Sequence, residues 1–265
     1  MRRLRALFFS NDGLGAGHLS RSLAVARALA RKVPELEVAL ATSSQADALL
    51  SAVPIAAVRW PSPTSARGSG WSDETRREVA ARVVRGVIEG FRPDVLVTDT
   101  FPSGPHAELD GLLRKVRYRA LVRRTVRGDR AREGDMATRG LEEHQLAIVP
   151  DDPHELREEA LPIPSVRVPP ITLFEVDDAL GRTAARRRLG LPLEGRFVLV
   201  APGGGGDVEA ADRAAKIAEA IARTATTIGA TPVVAVGPLG QRAAIPSSIQ
   251  RVSETPVQPL SLIHI

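Results

Sequence analysis

The residues with most chemical potential lie in Asp12-Gly13-Leu14-Gly15-Ala16-Gly17-His18-Leu19-Ser20-Arg21. Glycines let a backbone approach a ligand closely, and the unpaired N–H groups of a helix's first turn favour an anion. Histidine is the residue type that exchanges a proton near neutral pH. A tight turn whose glycines serve packing would explain the Gly-x-Gly pattern alone. With His18 and Arg21 in the same turn we read Gly15, Gly17 and Arg21 as ligand-binding residues and His18 as a catalytic one.

Two other places carry chemistry. Asp99 closes the apolar run Val95-Leu96-Val97-Thr98 and precedes Thr100-Phe101-Pro102. A carboxylate there can act as a base, hold a histidine in one tautomer, or cap the next turn. We count it with His18 as a catalytic candidate. Pro202-Gly203-Gly204-Gly205-Gly206-Asp207 follows a Val-Leu-Val strand pattern and precedes a long alanine-rich stretch. The N–H groups of Gly203, Gly204, Gly205 and Gly206 could form a concave surface for a phosphate, or a flexible turn.

Several classes are disfavoured. A P-loop requires Lys-Ser/Thr after its glycines, where this chain has His18-Leu19. A dinucleotide fold wants an acidic residue at the end of its second strand, but that strand ends Ala41-Thr42-Ser43-Ser44. Without cysteine there are no disulfides, thiolate metal sites or thiol nucleophiles. His144, His154 and His264 lack ligand spacing, so neither a metal nor another cofactor is expected.

The net charge is +5, and nearly all the positive charge is arginine, since Lys32, Lys115 and Lys216 are the lysines. With aromatics at 3% and none along a basic stripe, no nucleic-acid partner is expected. The run Arg117, Arg119, Arg123, Arg124, Arg127, Arg130, Arg132 reads as a solvated face. It could instead attract an anionic acceptor or the head groups of a membrane surface. No apolar run has the roughly 18–20 residues of a membrane span, and Ser10-Asn11-Asp12 breaks the opening apolar run. A cytoplasmic protein is expected, with peripheral contact at the inner membrane face left open.

The elements that must position these residues alternate between strand and helix, the pattern of a parallel α/β sheet. Strands are expected at Leu4–Ser10, Leu36–Thr42, Ile55–Arg59, Asp94–Asp99, Tyr118–Val122 and Leu146–Val149. Helices are expected at Leu19–Lys32, Gln45–Ser51, Ser72–Gly90, Glu108–Arg114 and His154–Glu159, and an exposed loop at Pro61–Gly70. Four prolines between Pro162 and Asp178 mark an extended connection. Beyond it come a helix at Arg182–Leu189 ended by Gly190, a strand at Arg196–Ala201, a helix at Val208–Thr227 and strands at Thr231–Val236 and Ile249–Val252.

This organisation predicts two Rossmann-like domains whose parallel sheets face each other across a cleft: 1–165, a linker over 166–181, and 182–265. The second domain has few strands and reads as incomplete, so the chain is expected to be a C-terminally truncated fragment.

Gly13-Leu14-Gly15-Ala16-Gly17-His18-Leu19-Ser20-Arg21-Ser22-Leu23-Ala24 resembles the first loop of MurG-like glycosyltransferases with the GT-B fold. It is especially similar to predicted bacterial glycosyltransferases that open with Gly-x-Gly-His-x-x-Arg. Arg92–Asp99, Leu189-Gly190-Leu191-Pro192 and Val198–Asp207 fit in the same order, so the resemblance spans most of the chain. It implies transfer of a sugar, such as an N-acetylhexosamine, from a nucleotide-diphosphate donor, a UDP-sugar, to a carbohydrate or lipid-linked acceptor. His18 would be the base or a transition-state partner, and Gly203–Gly206 would face the donor diphosphate. A nucleotide-sugar hydrolase or epimerase of the same fold, or a sugar-nucleotide binding fragment, are the alternatives. The family's later Gly-Gly and Glu region would fall after residue 265, and a fragment without it could fold in part yet not catalyse.

Overall fold

The computed structural model describes residues 3–11, 16–124, 131–151, 161–174, 179–201, 208–235, 237, 245–246 and 249–252. The chain divides into two compact units, the first made mostly of residues up to Thr172 and the second mostly of residues from Leu173 onward. The first is built on seven strands: β1 (Arg5–Ser10), β2 (Glu37–Thr42), β3 (Ala56–Arg59), β4 (Val95–Asp99), β5 (Tyr118–Val122), β6 (Leu146–Pro150) and β7 (Ser165–Val168). All pair in parallel, in the order β3-β2-β1-β4-β5-β6-β7. The order reverses between β1 and β4, which is where doubly wound sheets place their ligands.

Helices α1 (Gly17–Lys32), α2 (Asp47–Ser51), α3 (Pro63–Gly68), α4 (Asp73–Phe91) and α5 (Ala131–Thr138) fall between these strands in sequence. Strand side chains alternate between faces. Leu7 and Phe9 of β1 accordingly join one core with Leu96 and with Ala80, Val84 and Ile88, a stripe at i, i+4 and i+8 of α4. Phe9 stacks on Trp60 at 5.3 Å. Phe8 and Leu40 are buried as well, and α1 buries Leu19, Leu23 and Ala26 at helical spacing. Each fully buried leucine or phenylalanine contributes about 1.5–3 kcal/mol.

Side-chain caps explain where α3 and α4 begin. The Ser72 side chain accepts from Thr75 N–H at the start of α4, and Arg92, with φ 51°, ends that helix before Pro93. Within the expected loop Pro61–Gly70 the chain instead forms α3, because Ser62 caps Ser65 N–H and Pro63 pre-sets the first helical φ. The helix expected at Glu108–Arg114 is a series of turns ending in a 3-10 turn at Leu113–Lys115. Positive φ at Gly104, Ala107 and Gly111 keeps that segment from continuous helix. β7 lies where sequence reasoning put the start of the proline-rich linker. It is an edge strand, and Pro164 contributes only its carbonyl, to Ala147 N–H.

The second unit holds α6 (Arg182–Arg188), β8 (Arg196–Val200), α7 (Val208–Thr227), β9 (Ala230–Ala235) and β10 (Gln250–Val252), with parallel strands in the order β10-β9-β8. Val233 and Ala235 pack with Ala185 of α6 and with Leu189, the residue that caps its C-terminus. Val234, on the opposite face, packs with Ala214 and Ala218 of α7. Buried Arg186 stacks over Phe197 and donates to the carbonyls of Leu193 and Gly195, fastening α6 to the turn before β8. The expected helix at His154–Glu159 lies outside the described residues.

Candidate active site

β1 and β4 are neighbours, with Phe9 in register with Thr98, so the residues that follow β1 and those that end β4 share one sheet edge. α1 starts at Gly17, which places His18 in its first turn. Arg21, three residues on, lies on the same face. From the other strand comes Asp99, the last residue of β4, fully buried.

These three side chains converge. His18 Nδ1 lies 3.0 Å from Asp99 Oδ1. Arg21 clasps the same carboxylate in a fork, Nε donating to Oδ2 at 3.0 Å and Nη2 to Oδ1 at 2.8 Å. The Thr100 hydroxyl donates to Oδ1 at 2.6 Å. The Phe101 ring lies against the His18 imidazole, centroids 5.8 Å apart.

Proton positions follow from these contacts. Arg21 Nη2 also stands 3.4 Å from His18 Nδ1, but guanidinium can only donate and an ionised carboxylate can only accept. An unprotonated Nδ1 would set its lone pair against Oδ1 at 3.0 Å, so Nδ1 carries a hydrogen, and in the uncharged ring the lone pair lies on Nε2. Burial alone would raise the Asp99 carboxyl's pKa. The hydrogen bond from His18 and the positive charge of Arg21 outweigh burial and hold it below the ordinary carboxylate value.

Of the residues singled out in sequence, His18, Arg21 and Asp99 are brought together, and Gly17 begins the helix that carries His18. Arg21, read as a ligand-binding residue, spends Nε and Nη2 on Asp99. Gly15, Gly203, Gly204, Gly205 and Gly206 lie outside the described residues. The arginine run is only partly a solvated face. Arg119 donates to the carbonyls of Glu143 and Val116, and buried Arg123 to Ala137 O. Arg127 and Arg130 lie outside the described residues.

Sequence reasoning gave no role to Thr100 or Phe101, because nothing in their types announces a turn. His106 belongs to a second cluster. His106 Nε2 accepts from Arg76 Nη2 at 3.1 Å, and its backbone N–H donates to buried Glu108 at 2.9 Å. Desolvation and the charges of Arg76 and Arg77 lower the His106 pKa to about 4, while burial raises that of Glu108. His144 is structural: Nδ1–H faces Gly140 O at 3.1 Å, and Nε2 accepts from the Thr98 hydroxyl at 3.0 Å.

No protein-family model matches the sequence, and no curated protein is significantly similar to it. Solved structures do match. The glycosyltransferase SnogD from Streptomyces nogalater is 17% identical, and the match covers 98% of this chain and 74% of that one at a TM-score of 0.54. UDP-GlcNAc 2-epimerase from Neisseria meningitidis, bound to UDP-GlcNAc, is 11% identical over 98% of this chain and 75% of that one, at a TM-score of 0.59. UGT71G1 of Medicago truncatula, complexed with UDP-glucose, is 14% identical over 99% and 74%, at a TM-score of 0.56. At these identities the likeness defines architecture: the chain is an α/β protein that matches GT-B fold structures over most of its length.

Proposed function

We propose that this protein transfers a sugar from a UDP-sugar to an acceptor hydroxyl, with His18 as the base. The observation that carries the reading is the 3.0 Å contact of His18 Nδ1 with Asp99 at the strand-order reversal, which leaves Nε2 as the proton acceptor. The resemblance of the Gly-x-Gly-His-x-x-Arg stretch to MurG-like enzymes and the GT-B architecture support it.

In this reading Nε2 takes the proton of the acceptor O–H as that oxygen bonds to the anomeric carbon. The bond from this carbon to the diphosphate oxygen breaks, and UDP leaves with the electron pair. Attack opposite the leaving group inverts the anomeric centre. His18 then carries a positive charge, which the Asp99 carboxylate offsets. Asp99 is too buried and too fully bonded to meet substrate, so of its possible roles we assign it that of holding His18. The N–H groups of Gly203–Gly206 and the start of α7 would accept the diphosphate charge.

The likeness to UDP-GlcNAc 2-epimerase favours a second reading, in which the same base acts on the sugar itself or on water. Incubating the full-length protein with UDP-N-acetylglucosamine separates them. Release of UDP that requires an added carbohydrate or lipid-linked acceptor supports transfer. Release without acceptor, or a C2-epimerised product, supports the second reading. Among the described residues no helix is long and apolar enough to cross a membrane. Contact of the arginine-rich surface with a membrane at the cytoplasmic face remains part of the proposal and is read by vesicle co-sedimentation.

A further inference from the structure

We propose that Thr100 is a positioning residue, held in a strained turn so that its hydroxyl fixes the Asp99 carboxylate toward His18. The inference rests on reading His18 as the base. Thr100 has φ 65°, and Phe101 N–H donates back to Asp99 O at 2.7 Å. Together these make a classic γ-turn centred on Thr100, a rare and strained conformation. A β-branched residue at positive φ is unusual in itself, since glycine or asparagine meets that requirement at lower cost.

What the turn accomplishes is geometric. In a continuing strand, neighbouring side chains point to opposite faces, and Thr100 could not reach the carboxylate of Asp99. The reversed φ returns the hydroxyl to the Asp99 side, where it donates to Oδ1 at 2.6 Å, the short distance of a charge-assisted bond. Thr100 N–H is pinned to Val122 O of β5 at 2.9 Å, and the residue is buried, so the sheet holds the turn closed. The same turn directs Phe101 to the His18 ring. One residue thus arranges the acceptor of the Nδ1 proton and the wall beside the imidazole.

The test compares T100S, T100V and T100G in the full-length protein by ¹⁵N NMR of the His18 ring, assigned by its loss in H18Q, and by acceptor-dependent UDP release. T100S keeps the hydroxyl and should retain the wild-type Nδ1–H tautomer, with kcat within about twofold. T100V keeps the shape and strain without the hydroxyl; its tautomer population should shift toward Nε2–H and kcat should fall about tenfold or more. T100G should melt higher than T100V, because glycine adopts this φ freely. An unchanged His18 spectrum in T100V, or a T100G protein no more stable than T100V, overturns the proposal. If the wild-type protein transfers no sugar, the functional reading falls while the spectra still decide the role of Thr100.

Discussion

His18 Nδ1 and Asp99 Oδ1 stand 3.0 Å apart although 81 residues separate them in the chain. One follows β1 and the other ends β4, and their meeting is a consequence of strand order. An imidazole so held presents one defined nitrogen outward.

Asp99→Asn should preserve the fold and abolish most turnover. The amide can donate to Nδ1, which favours the proton on Nε2 and removes the base. A loss on the order of 10²–10⁴ in kcat is expected. Steady-state kinetics beside circular dichroism measures it, and turnover within a few-fold of wild type would mean that the tautomer is immaterial.

Arg21→Ala should act on stability. Asp99 has 1% of its side chain exposed, and removing the guanidinium leaves a buried carboxylate short of its cation. About 3–5 kcal/mol should be lost in urea denaturation. Arg21→Lys should recover only part of this, since an ammonium cannot span both oxygens. A loss below about 1 kcal/mol for the alanine variant would contradict the assigned role.

Gly104→Ala tests the loop after β4. Gly104 has φ +82°, and an added Cβ would stand 2.3 Å from Glu108 Oε2 and 3.3 Å from the Phe9 ring. Glu108 is buried and cannot swing away freely. We expect a loss of about 2 kcal/mol or more, read from the denaturation midpoint, and wild-type stability would show that the loop yields easily.

His106 sets a pH dependence. Its folded pKa, about 4, lies below the ordinary histidine value of 6.5. The unfolded chain therefore takes up this proton first, and the group's contribution, full above pH 6.5, is lost as pH falls toward 4. Glu108, with a raised pKa, works in the opposite sense, so the informative quantity is a difference. His106→Asn should gain on wild type progressively between pH 6.5 and 4 in urea midpoints. A constant difference across that window would count against a His106 kept uncharged by its burial beside Arg76.

Much of this architecture was legible where local signals agreed with the fold. The strand β1 followed by the helix α1, β4 ending at Asp99, and the strands and helices of the second unit follow from apolar runs bounded by glycine and polar breaks. Ser72 announced α4 as its cap. The misses have local causes. α3 hides among serine, proline and glycine because capping, rather than apolar periodicity, starts it. β7 hides among prolines because an edge strand tolerates them. The segment 108–114 carries helix-forming residues, but backbone reversals around it decide otherwise. At the site, the spacing of His18 and Arg21 was visible, and Asp99 stood out at its strand end. That all three share one carboxylate depends on β1 and β4 being neighbours, which no local pattern encodes. Thr100 carries no signal, because the turn it centres is one that its residue type disfavours.

The central claim is that Nε2 of His18 takes the proton of an acceptor hydroxyl. Its most direct test is acceptor-dependent UDP release by the full-length protein, wild type against H18A, at saturating UDP-sugar. A fall in kcat of about 10²–10⁴ is expected in a folded variant that still binds the donor. An H18A protein that turns over at the wild-type rate would contradict it.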